Sequence, residues 1–106
     1  MEGSYLRDSQ AHLVALQSAR TELNELLKDT MRRRMSARME LWTVKAAELD
    51  PDFAAQIAGA AKVGSPAALV ALVARLADEE AQTLHLIARI DARIEEVSQV
   101  VEWSTH

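Results

Sequence analysis

The chain contains no cysteine, which excludes disulfide bonds and thiolate chemistry. Two prolines and three glycines are spread over 106 residues. That is too few turn formers for a sheet of short strands, so a few long helices are expected. Aromatic residues make up only 4%, and a core must be built mainly from Leu, Ala, Val, Ile and Met. Long apolar runs are also missing. The longest, Ala67 to Leu76, includes Arg75 and is too short to span a bilayer. Met1-Glu2-Gly3-Ser4-Tyr5 has no basic region leading into an apolar one. A cytoplasmic location without membrane contact is expected.

What is present suffices for one domain over 1–106, with 49% apolar residues to form its core. The net charge of −4 argues against an extended nucleic-acid footprint, although Arg32, Arg33, Arg34 and Arg38 form a local basic cluster.

The apolar spacing predicts a first helix over about 6–49. Its stripe is Leu13, Leu16, Leu23, Leu27, Leu41 and Val44, which Met31 and Met35 are expected to widen. Pro51 stops this helix, because proline disfavours helical geometry in the preceding residue. Asp50 can then cap a short helix over about 51–62, with Pro51 in the favoured first position and Phe53 and Ile57 as anchors. Gly64 ends that segment, and Ser65-Pro66 repeats the device to start a third helix over about 66–102. Its stripe is Leu69, Val73, Leu76, Glu80, Thr83, Ile87, Ile90, Ile94, Val97 and Val101. The steps alternate between four and three, a coiled-coil pattern.

The expected fold is all-α: a long antiparallel helical hairpin with a short middle helix. Folding the third helix back on the first sets Arg32, Arg33 and Arg34 opposite Asp78, Glu79 and Glu80, a charge match independent of the leucines. A helix of some forty residues would be about 60 Å long at 1.5 Å per residue. That exceeds a compact monomer of this size, about 25 Å across, so an intertwined or bundled homodimer is expected.

Arg34 and Lys45 are the first candidates for chemistry. They lie about three turns apart on one face of the first helix, at 3.6 residues per turn. As a pair they could clamp a small dianion, Arg34 as a planar fork and Lys45 as a point charge. Alternatively Arg34 is satisfied by Glu80 inside the bundle and Lys45 extends to water. Glu80 and Thr83 interrupt an apolar stripe, either as a polar pocket facing Arg34 or as a buried pair that fixes register.

His12, His85 and His106 have no companions at metal-ligand spacing, and neither a metal nor a cofactor is expected. Met31, Met35 and Met39 read as core filling. Trp42 and Trp103 read as packing residues, Trp103 near His12. No nucleophile–base constellation or glycine-rich phosphate loop is present.

Leu13-Val14-Ala15-Leu16-Gln17, Leu23-Asn24, Leu27-Lys28-Asp29-Thr30-Met31-Arg32-Arg33-Arg34 and then Lys45 resemble the first helix of the AroQ-type chorismate mutase family, including its aminodeoxychorismate-mutase branch. That helix reads Leu-x-x-Leu-Arg, Leu-Asp, Leu-x-Asp-Thr-Leu-Arg-x-Arg, and a Lys three turns on. The match is ungapped from Leu13 to Lys45. The resemblance implies an all-α intertwined dimer and a pericyclic rearrangement of a carboxylated cyclohexadiene without covalent catalysis. Arg34 would grip a substrate carboxylate and Lys45 would donate to the ether oxygen; Gln17, Glu80 and Thr83 are further candidates for substrate binding. Gln17 stands where the family has an arginine. The segment of Ile57, Ala58 and Ala60 has no counterpart to its second-helix Arg-Glu pair, and Leu84 or His85 occupies the place of a third-helix Gln or Glu. Trp42-Thr43-Val44 also sits where small secreted helical hairpins carry a Trp-x-Gly turn, but has valine for the glycine.

Two functions therefore stand open. One is an enzyme acting on chorismate or a related small carboxylated substrate. The other is a non-catalytic adaptor, chaperone or regulatory subunit whose apolar helix faces bind a partner protein. The surroundings of Arg34, Lys45 and Glu80 discriminate between them.

Overall fold

The computed structural model describes residues 2–57 and 65–105, with side chains over 5–56 and 65–104. It is an all-α hairpin. Helix α1 spans Glu2–Leu49, α2 spans Pro51–Ile57 and α3 spans Pro66–Thr105. The expected continuation of the middle helix to 62, its stop at Gly64, and His106 lie outside the described residues.

Two caps set the starts of α2 and α3. Asp50 Oδ1 accepts hydrogen bonds from the backbone N–H groups of Asp52 at 3.0 Å and Phe53 at 3.3 Å. Ser65 Oγ accepts one from the N–H of Ala68 at 3.1 Å. Each cap satisfies donors that a helix start leaves without an intrahelical partner, and each is followed by proline, whose missing N–H is no loss there.

The helices pack as two units, Met1–Lys28 with Ala81–His106 and Asp29–Glu80. In the first, Ile87, Val97 and Thr83 are buried. Leu13, Leu16, Leu23 and Leu27 of α1 are half-buried, as are Ile90 and Ile94 of α3. Arg20 pairs with Asp91 at the edge of this unit. The hydrogen bond and charge of that carboxylate raise the pKa of the guanidinium above its ordinary value.

In the second unit Leu69, Leu76, Ala37 and Thr30 are buried, and Leu76 is the most enclosed large side chain. Leu41, Val44, Val73 and Phe53 are half-buried. The inward face of α1 here runs through Thr30, Arg34, Ala37, Leu41 and Val44, continuing the alternating three-and-four step. Met31 and Met35 do not widen it. They are 50% and 66% exposed, because each sits one residue, about 100°, round the helix from an inward position.

Truncating Leu76 to alanine should cost about 2–5 kcal/mol of unfolding free energy, from lost burial and the cavity left behind. Ser65→Ala should cost about 1 kcal/mol through loss of the cap. Urea denaturation followed by circular dichroism checks both. A Leu76→Ala variant as stable as the parent would place the core elsewhere.

Candidate functional site

Thr30 and Ala37 fill the buried positions of α1 in the unit Asp29–Glu80, and the methionines next to the inward positions turn outward. Met31, Met35, Met39 and Trp42 form a row along the exposed side of α1, all at least 50% exposed. Together with Arg32, Arg34, Arg38 and Glu80 they line a groove of about 460 Å³. The lining of this groove is mainly apolar. The expectation that Met31, Met35 and Met39 fill the core, and that Trp42 packs, is corrected by this exposure. Trp103, expected to pack near His12, is 84% exposed.

Arg34 and Glu80 form a salt bridge at the base of the groove. Their side chains are 32% and 17% exposed, so water screens the pair only partly. A guanidinium so placed has one of its faces committed to a carboxylate of its own chain. Lys45 is exposed and does not line the groove. Its ammonium lies 5.7 Å from the centroid of the Trp42 ring, within range of a cation–π attraction.

Of the residues singled out from sequence, the fold joins Arg34 to Glu80 and brings Lys45 to Trp42. Gln17 and Thr83 belong to the other unit. Gln17 is exposed, with its backbone carbonyl accepting a hydrogen bond from Thr21 Oγ1 at 3.0 Å. Thr83 is buried on the inward face of α3. A second, more polar groove of about 470 Å³ lies in that unit, bordered by Tyr5, Asp8, His12 and the Arg93–Glu96 pair. Among the described residues no group of three His, Cys, Asp or Glu could hold a metal ion. No helix there is long and apolar enough to cross a membrane.

The methionine row is what a reading of apolar content alone overlooks. The signal was in the register: continuing the alternating step from Leu23 and Leu27 lands on 30, 34, 37, 41 and 44, and leaves the methionines on a second stripe. No known family model matches the chain, and no curated protein or solved structure matches it.

The energetics of Arg34 and Glu80 can be measured. Glu80→Ala strands a half-buried cation and should cost about 1–3 kcal/mol. Replacing both residues by leucine should recover most of that loss, because an apolar pair of similar volume suits the seam. A double-mutant cycle in urea checks this. A double variant no more stable than Glu80→Ala would show that the pair does not sit in the seam.

Proposed function

We propose that this protein is a non-catalytic helical hairpin that binds a partner protein through the exposed methionine and tryptophan face of α1. The observation that carries the reading is the pairing of Arg34 with Glu80 beneath that face. A catalytic clamp for a dianion needs Arg34 and Lys45 to offer unspent charge to one cavity. Here Arg34 faces a carboxylate that would repel such a ligand, and Lys45, which does not line the groove, lies over the Trp42 ring.

Four large apolar side chains side by side at a protein surface support the same reading. Contiguous exposed apolar patches, rimmed by polar groups, mark interaction sites more often than chance solvation. Methionine suits such a surface because its unbranched thioether adapts to the shape of what it meets. Trp42 offers a rigid anchor of the kind that dominates binding energy at interfaces.

The alternative, a chorismate-mutase-like enzyme, is tested directly. Purified protein is expected to leave chorismate undepleted even at protein concentrations equal to the substrate, and chorismate-like dianions should not move its melting temperature. Depletion that Arg34→Ala abolishes would return the enzyme reading. In parallel, Met35→Ala and Met39→Ala should each change stability by less than about 0.5 kcal/mol. A loss as large as that of Leu76→Ala would make the row part of the core, not a face for a partner.

A further inference from the structure

Along α1, the charged side chains that flank the methionine row are all cations. At about 100° per residue, Met31, Met39 and Trp42 all fall within about 40° of Met35 round the helix. Arg32 flanks the row on one side, and Arg38 and Lys45 flank it on the other, each within about 80° of Met35. The carboxylates of α1 in this unit, Asp29, Glu40 and Glu48, lie about 120–140° away. The one carboxylate that lines the groove, Glu80, is bound to Arg34. In a chain of net charge −4, this row of α1 is therefore apolar and flanked by cations.

We infer that the groove takes an acidic amphipathic helix of another protein. Its apolar residues, at i, i+3 or i+4, and i+7, would lie along Met31, Met35, Met39 and Trp42. Its Asp or Glu residues would meet Arg32 on one edge and Arg38 on the other. The row from Met31 to Trp42 is about 16 Å long at 1.5 Å per residue, which is three turns of a facing helix.

Two other occupants fit less well. A second copy docked isologously through this face would set Arg32, Arg38 and Lys45 against their own counterparts, so like charges would oppose. An anionic membrane would attract the cations, but it presents a plane to a concave groove with a carboxylate at its base.

This inference rests on the binding reading above and can fail without it. The test uses the full chain with Trp103→Phe, so that fluorescence reports Trp42 alone. Two synthetic three-turn amphipathic peptides share the same leucine face, one carrying Glu at every flanking position and the other Lys. The Glu peptide should shift Trp42 emission saturably and bind about tenfold or more tightly than the Lys peptide at low salt, with the preference shrinking as salt rises.

Arg32→Glu with Arg38→Glu should invert the preference, and circular dichroism confirms that the helices persist. Equal affinity for the two peptides would overturn the acidic partner and leave an uncharged binding face. No binding of either at millimolar peptide would overturn the inference outright. So would Trp42 quenching by phosphatidylserine vesicles in preference to the Glu peptide, or a sedimenting dimer that Met35→Glu dissociates.

Discussion

A guanidinium and a carboxylate sit where the packing of α1 against α3 calls for apolar side chains. Everything distinctive about the unit Asp29–Glu80 follows from the pairing of Arg34 with Glu80. Neither charge could be left alone at that depth: an unpaired ion there loses hydration that no apolar neighbour returns. Paired, they contribute little net stability compared with two leucines, yet they oppose sliding. A shift of α3 by one residue would carry Glu80 off the inward face and leave Arg34 unmatched. Apolar contacts alone tolerate such slips better, because one leucine can replace another. The pair thus specifies register in a way that Leu69, Leu76 and Leu41 do not.

The same constraint fixes what faces outward. With Arg34 turned toward Glu80, α1 is rotationally locked in this unit, and Thr30 and Ala37 follow it inward. Two small residues then occupy buried positions while three methionines and a tryptophan stand in water. Hydrophobic burial by itself would favour the opposite rotation, with the larger side chains inside. The sequence forgoes that gain, since the arginines flanking the methionines would have to be buried with them. Arg32 and Arg38 lie on either side of the row, so no rotation hides the apolar side chains without also desolvating a cation. The exposed face is a consequence of where the arginines fall in the sequence.

Much of this was legible before any coordinates. The two cap-and-proline starts at Asp50-Pro51 and Ser65-Pro66 follow from local chemistry, because a proline after a side-chain acceptor satisfies a helix start and disfavours the helix before it. The inward stripe of α3 was readable because its period is sustained and, Glu80 apart, its residues are β-branched or leucine. The α1 stripe was harder to read. Between Leu27 and Leu41 its inward positions are Thr30, Arg34 and Ala37, none of which stands out as apolar, and the eye moves to the methionines one residue away. The partner of Arg34 was visible from charge matching across the hairpin. The placement of Lys45 on Trp42 was not, since a lysine side chain can reach several neighbours and only the rotamers decide.

The segment from Arg32 to Lys45 carries enough cations for either a small-molecule clamp or a docking face, and counting them does not choose between the two. What chooses is how much of each charge remains unspent. Arg34 is nearest the seam and faces a carboxylate there. Lys45 lies over an aromatic ring, which stabilises an ammonium without neutralising it. Arg32 and Arg38 are exposed at the rims, where a cation keeps its full charge and can meet a partner's carboxylate without prior desolvation. A dianionic ligand that approached Arg34 in the groove would meet the Glu80 carboxylate beside it, a repulsion that offsets the attraction of the guanidinium. A larger partner resting on the methionines meets the rim cations first and need not disturb the seam. The arrangement of charge by depth, spent below and available above, therefore suits a ligand that covers the groove more than one that enters it.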